Sequence, residues 1–278
     1  MLLSVPAQNA VFRSRVDHVT LNVAVRQGTR LITDLKPADF EVRDNGEEQT
    51  VTEAVFESVP TDATMLVDMS ASVRAPLLAS LKHAIDSLQQ KLRPTDRLAL
   101  YQFNEGIQGI SHTVAGQPVS ELLSQPRGET ALFDALAASV IKPNAPPFRQ
   151  MLLLFTDGLD TLSFLDEKSV RAIVRRSDQA VFVVALADDV THRVAHQEFL
   201  SDVADTSGGR FALLEGTGQI DREFVSSLED FRLSYTLSYD TSATAKPGWH
   251  ELTVRVKRPG RYDIRARRGY VVGAGGPG

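Results

Sequence analysis

Thr64-Met65-Leu66-Val67-Asp68-Met69-Ser70-Ala71-Ser72 is the stretch that decides the fold. Residues 64–67 form a short, almost wholly apolar run, the pattern of a strand covered on both faces. A carboxylate follows at once, and then two hydroxyls two residues apart. In extended backbone that spacing points side chains the same way, so Ser70 and Ser72 can face one point beside Asp68. Similar apolar runs recur at Leu98–Phe103, Met151–Phe155, Val181–Leu186 and Phe211–Leu214. Helical patterns separate them. Leu78, Leu81, Ile85, Leu88 and Leu92 make one apolar stripe, with Pro76 early in the helix and Pro94 just beyond it. Ala131–Ile141, Asp166–Arg176, Val194–Ala204 and Ile220–Phe231 read as further helices, and Ile107–Thr113 as an antiparallel edge strand. Repeated strand–helix units predict an α/β domain over 62–230, with a doubly wound, mostly parallel sheet.

Outside this section the period changes to two. Val19, Leu21, Val23 and Val25 alternate with polar or small residues, and Gln27-Gly28 turns the chain. Phe40 and Val42 follow, and Asn45-Gly46 is a hairpin signal. After the α/β section, Leu233, Tyr235, Leu237 and Tyr239 alternate, as do Leu252, Val254 and Val256, and then Tyr262, Ile264 and Ala266. Each strand-rich flank is about 45 residues, too short to bury a core alone. The sequence therefore predicts that 11–58 and 232–272 combine into one β-sandwich-like module, with the α/β domain inserted between them. That module is expected opposite the carboxyl ends of the parallel strands, where sites on such sheets form.

Two further segments complete a candidate site. Gly128-Glu129-Thr130 precedes a helix, and Thr156-Asp157-Gly158 ends a strand. Asp68, Ser70, Ser72, Thr130 and Asp157 together offer two carboxylates and three hydroxyls. Such hard oxygens suit a divalent cation: Mg²⁺ is expected, and Mn²⁺ or Ca²⁺ would be accepted by the same donors. A helix N-terminus favours anions, so Thr130 suits a site that also receives an anionic ligand. Taken alone, Asp68-x-Ser-x-Ser reads equally as turn and cap residues. Three segments in order, each on a matching element, favour the cation.

Composition narrows the function. The chain has 278 residues, a net charge of −5 and no cysteine. The charge argues against general nucleic-acid binding. The missing cysteine removes disulfides, thiolate zinc sites and cysteine nucleophiles. No apolar run is long enough to span a bilayer. Residues 1–10 read as a disordered start or the remnant of a leader, and 273–278 as a flexible tail. Gly273–Gly278 formally fits a dinucleotide fingerprint, but no helix follows to receive the phosphate. Many residues of the basic run Arg255, Lys257, Arg258, Arg261, Arg265, Arg267 and Arg268 are expected on the solvent face of strands, with weak contact to anionic cell-envelope surfaces as a minor alternative.

The middle section resembles a von Willebrand factor type A domain with a metal-ion-dependent adhesion site. The motif falls on Asp68, Ser70 and Ser72, the threonine on Thr130, and the second aspartate on Asp157 in Phe155-Thr156-Asp157-Gly158. Ala71 and Val73 depart from the commoner Gly and Met, at positions that supply no ligand. Leu35-Lys36-Pro37-Ala38-Asp39-Phe40, with Asp44-Asn45-Gly46, and Arg265-Ala266-Arg267-Arg268-Gly269-Tyr270 resemble the flanks of bacterial proteins called VWFA-related, first noted in Acidobacteria.

The resemblance implies that the hydroxyls touch the ion, the aspartates act largely through water, and one position stays open for a partner's Asp or Glu. It also implies a binding module rather than an enzyme, placed outside the cytoplasm. Two other readings compete. In one, the metal only stabilises a scaffold. In the other, the chain is a Mg²⁺-dependent phosphatase-like hydrolase, which needs a general acid two residues after Asp68, where Ser70 stands instead. No Gly-x-Ser-x-Gly elbow is present, and between His192 and His196 the metalloprotease glutamate is replaced by Arg193.

Overall fold

The computed structural model describes residues 17–56, 59–112, 118–141, 147–187, 194–241 and 246–273. The leader-like start, His192, Arg193 and the tail beyond Gly273 lie outside the described residues.

The central sheet grows from β6 (Thr61–Asp68), whose eight residues are all buried. Around it lie β7 (Arg97–Phe103), β8 (Ile107–His112), β9 (Arg149–Thr156), β10 (Ala180–Leu186) and β11 (Phe211–Leu214). Their order is β11-β10-β9-β6-β7-β8, parallel except for the antiparallel edge strand β8. Helices α1 (Ala75–Gln90) and α5 (Ile220–Arg232) cover one face, over Met65, Val67, Leu100, Phe155 and Phe182. The other face, with Leu66, Leu152, Leu154 and Val183, packs on α2 (Leu132–Val140), α3 (Glu167–Val174) and α4 (Gln197–Ser207). Strands buried on both faces carry no polar alternation, which is why the sequence runs are continuously apolar. Helix α4 starts three residues later than its apolar pattern predicts, because His196 takes left-handed backbone (φ 52°) and breaks the helical path.

The flanks pair with each other. β1 (Asp17–Gln27), with the short β2 (Arg30–Leu31), lies beside β12 (Tyr235–Thr241), so Val23 faces Tyr235 across the ladder. β5 (Val51–Phe56) and β14 (Asp263–Ala266) complete that sheet. A second antiparallel sheet runs β15-β13-β3-β4, from β3 (Phe40–Asp44), β4 (Glu47–Gln49), β13 (Gly248–Val256) and β15 (Gly269–Val272). The predicted Asn45-Gly46 turn joins β3 to β4, with positive φ at both residues (49° and 84°). Leu21, Val23, Tyr235, Leu237 and Tyr239 of one sheet share an apolar cluster with Phe40, Val42 and Leu252 of the other. Leu233 does not join its strand; it caps α5.

The pooled sheets meet the α/β section at the amino ends of its strands. Arg149, at the start of β9, donates to Ser234 Oγ (2.7 Å) and to the Arg232 carbonyl (3.1 Å). Arg232 pairs in turn with Asp96 and donates to the Lys91 carbonyl (2.8 Å). Here the expectation of a solvent-facing basic run needs correction for Arg265 and Arg267. Arg265 donates to the carbonyls of Gly208 (2.7 Å) and Asp230 (2.8 Å). Arg267 reaches Asp178 (2.8 Å) and the Ser177 carbonyl (3.1 Å), and Arg268 reaches Asp205 (2.7 Å). These arginines fasten β14 and the residues after it to the ends of α3, α4 and α5, although Arg268 is itself exposed, as are Arg255, Lys257 and Arg261. Alternation marks one face of a strand as polar, but cannot say that helix-terminal carbonyls wait there.

Candidate metal centre

The chain passes from β6 to β7 on one side and later returns to β9 on the other side of β6. Connections therefore diverge between β6 and β9, the position where open α/β sheets form their crevice at the carboxyl ends of strands. Asp68 ends β6, and Asp157 follows β9 directly. The β6–β9 register pairs Val67 with Phe155, which sets Asp68 beside Thr156.

Asp68 is 1% exposed. Its Oδ1 accepts from the Ser70 backbone N–H (3.0 Å), and its Oδ2 accepts from Thr156 Oγ1 (3.1 Å). The first bond folds the loop back on the carboxylate, so the Ser70 and Ser72 hydroxyls stand 3.0 Å apart. Ser70 is buried and Ser72 exposed, so the pair leads from the interior to the surface. The loop is held from two sides: Met69 N–H donates to the Phe103 carbonyl (2.8 Å), and Ala71 N–H to the Gly128 carbonyl (3.1 Å). Asp157 is half-buried, and its Oδ1 accepts from Leu159 N–H (3.0 Å). Gly158 takes φ 84°, and a Cβ there would collide with the Ala195 carbonyl and the Val194 side chain, so the turn after Asp157 requires glycine.

Thr130 is buried just before α2. Its N–H donates to Thr161 Oγ1 (3.0 Å), and its carbonyl accepts from the N–H groups of Thr161 (2.9 Å) and Leu162 (3.1 Å). Among the described residues, hydrogen bonds join Asp68, Ser70 and Ser72 directly, and charge couples Asp157 to Asp68. Thr130 is brought alongside by backbone, through Gly128.

Burial, then the charge of Asp157, push the Asp68 carboxyl up to about 6, against hydrogen bonds from Ser70 and Thr156 that lower it. Burial and one like charge thus act together on the Asp68 carboxylate. A cation held between the two carboxylates would relieve both effects, and the neighbouring donors are hard, neutral hydroxyls; the residues present fit a small divalent ion. Among the described residues no group of three or more His, Cys, Asp or Glu could hold a metal.

Sequence reasoning missed a supporting layer. Thr156 both donates to Asp68 and accepts from Gly158 N–H (2.9 Å). Asp134, in the first turn of α2, accepts from the N–H groups of Phe164 and Leu165 (both 2.9 Å), and Ser163 Oγ accepts from Phe133 N–H (3.0 Å). An acidic residue in a first turn was a visible signal. Its distant partners were not.

No family model matches the sequence, and no curated protein matches it. Solved structures do match. A von Willebrand factor type A protein from Catenulispora acidiphila is 12% identical, with a TM-score of 0.55, over 96% of this chain and 69% of that one. VWA2, an ArnB paralog from Sulfolobus acidocaldarius, is 12% identical with a TM-score of 0.54, over 90% and 76%. Proximal thread matrix protein 1 from the mussel byssus, solved with a zinc-occupied MIDAS motif, is 12% identical with a TM-score of 0.51, over 68% of this chain. This chain spans about half the length of that protein, 49%. At such identity the likeness is one of fold: the α/β section has the von Willebrand factor type A fold.

Proposed function

We propose that this chain is a divalent-cation-dependent protein-binding module, and not an enzyme. The observation that supports it best is the buried Asp68 carboxylate beside Asp157, at the strand switch point, with the Ser70–Ser72 hydroxyls leading outward. Asp68, Ser70, Ser72, Thr130 and Asp157 would hold Mg²⁺, with Mn²⁺ or Ca²⁺ as substitutes; the zinc in the mussel protein's motif is a parallel on the same fold. When bound, the ion supplies positive charge at the surface. A site built largely of neutral hydroxyls leaves that charge incompletely neutralised, so it attracts an outside carboxylate. The chain's own residues position the loops, hold the hydroxyls toward one point and keep Asp68 from water. The expected partner is a protein presenting an Asp or Glu.

We also take 11–58 plus 232–272 as one β-sandwich-like module and 62–230 as the inserted domain, in a chain of the bacterial VWFA-related type placed outside the cytoplasm. Among the described residues no helix is long and apolar enough to cross a membrane. A scaffold whose metal is only structural makes a different forecast. The test is partner capture from envelope extract with Mg²⁺, with EDTA, and by a Thr130→Ala variant. Capture that needs Mg²⁺ and Thr130 supports the binding reading. Equal capture in all three arms removes the cation from the interface.

A further inference from the structure

The loop after Asp157 carries the most exposed large apolar side chains of the described residues near the site. Leu159 is 48% exposed, Leu162 51% and Phe164 95%. A nearly bare phenylalanine gains nothing from folding, since its ring stays in water. Exposed apolar groups gathered beside a polar site mark contact surfaces rather than core.

The loop is firmly held. Thr161 and Leu162 donate to the Thr130 carbonyl, and Phe164 and Leu165 donate to the two oxygens of Asp134. Ser163 Oγ accepts from both Phe133 (3.0 Å) and Asp134 (3.2 Å) N–H groups. Leu159 N–H is held by Asp157 Oδ1 and the other anchors lie between Thr130 and Asp134, so the loop is fixed relative to the candidate cation ligands. Such a preorganised surface loses little entropy on binding. Its electrostatics also select. The only charge within 159–164 is Asp160, and its Oδ1 already accepts from Ser163 Oγ (2.5 Å) and Phe133 N–H (3.3 Å). The rim therefore offers a partner apolar area and no free cation.

We propose that the 159–164 loop is the specificity rim of the site. It takes an apolar side chain lying within a few residues of the partner's acidic one. The occupant is a protein segment pairing an Asp or Glu with a nearby aliphatic or aromatic residue: the carboxylate goes to the ion, and the apolar neighbour covers Phe164, Leu162 and Leu159. This rests on the cation-dependent reading above.

The test pans a displayed random-heptapeptide library on the full chain in Mg²⁺ and in EDTA, using the wild type and Phe164→Ser. At 95% exposure the substitution leaves folding intact, which is checked by an unchanged Mg²⁺-induced rise in melting temperature. The expected result is Mg²⁺-dependent acidic peptides with an apolar residue near the acid. On Phe164→Ser that apolar preference is lost, and the selected peptides bind about tenfold more weakly. Acidic, Mg²⁺-dependent peptides with no apolar preference, or equal binding by the variant, overturn the rim while leaving the cation reading intact. No Mg²⁺-dependent peptide at all overturns both. A wild-type dimer that Phe164→Ser dissolves, with peptide selection unmoved, assigns the rim to a second copy of the chain and also overturns it.

Discussion

Two buried aspartates, one in each half of the molecule, meet opposite environments. Asp44 lies in the pooled β-sheets. Its Oδ1 faces His250 Nδ1 at 2.7 Å, and its Oδ2 accepts from the Tyr270 hydroxyl (2.7 Å) and the Tyr239 hydroxyl (3.1 Å). His250 Nε2 faces the Lys246 carbonyl at 2.7 Å. Both ring nitrogens thus face acceptors, which only the doubly protonated imidazolium satisfies. The chain itself supplies Asp44 with a cation and donors. Asp68 has only a backbone N–H and neutral hydroxyls, from Ser70 and Thr156, and the charge that acts on it most is another carboxylate. A buried carboxylate is tolerated when paired and hydrogen-bonded. The first aspartate is completed from within and serves the fold. The second leaves room for a positive charge from outside and serves, on our reading, a site.

The largest expected effect tests the completed centre. Asp44→Ala leaves the His250 cation buried without its counter-ion, and should cost about 3–5 kcal/mol of stability, read as a drop in the urea midpoint. A loss below about 1 kcal/mol would show that Asp44 is not the keystone of that cluster. The matching change in the other half behaves differently. Asp68→Asn removes a buried like charge, so the cation-free protein should be no less stable than wild type. The variant should also lose the rise in melting temperature that Mg²⁺ gives the wild type, worth about 2.7 kcal/mol at a hundredfold excess over Kd. If Asp68→Asn destabilises the cation-free chain as severely as Asp44→Ala, the two aspartates are of one kind and the contrast fails.

A smaller effect separates the donors at Asp44. Tyr270→Phe removes one hydroxyl while His250 and Tyr239 stay in place, so about 1–2 kcal/mol is expected, with an unaltered response to Mg²⁺. A changed Mg²⁺ response would mean that the two halves communicate.

The two centres also differ in how much of each the sequence disclosed. Asp68, Ser70 and Ser72 sit within five residues at the end of an apolar run, and Asp157 follows another such run. Short spacing and strand ends are what a sequence displays well, so the fold class, the strands and the candidate ligands were legible. The Asp44 centre draws on His250 and Tyr270, more than two hundred residues away. Only the neighbouring Asn45-Gly46 turn was readable there, since nothing next to His250 in the sequence announces its partners. The same limit hid the arginine clamps of β14 and the clasp of Asp134 on Phe164 and Leu165. Each pairs a side chain with backbone groups whose position depends on tertiary packing. Local pattern also missed the late start of α4, because nothing in the apolar period announces left-handed backbone at His196.

The smallest effect is one of pH at the Asp44 centre, read as a difference between two proteins that both keep Asp68. Burial works against a charge on His250, but the Lys246 carbonyl and the Asp44 carboxylate outweigh it and raise the imidazole above its ordinary 6.5. The folded state therefore holds this proton more tightly than the unfolded chain. Its contribution is fully present below 6.5 and is lost as pH rises through the folded value. Urea midpoints at about pH 5.5, 7 and 8.5 should fall for the wild type relative to a His250→Gln variant, because glutamine occupies the place without titrating. The difference should survive saturating Mg²⁺, since the candidate cation site lies at the carboxyl ends of the parallel strands and His250 in a separate sheet. A difference that is flat across this range would mean that His250 is neutral in the folded protein, and that Asp44 is held by its tyrosines alone.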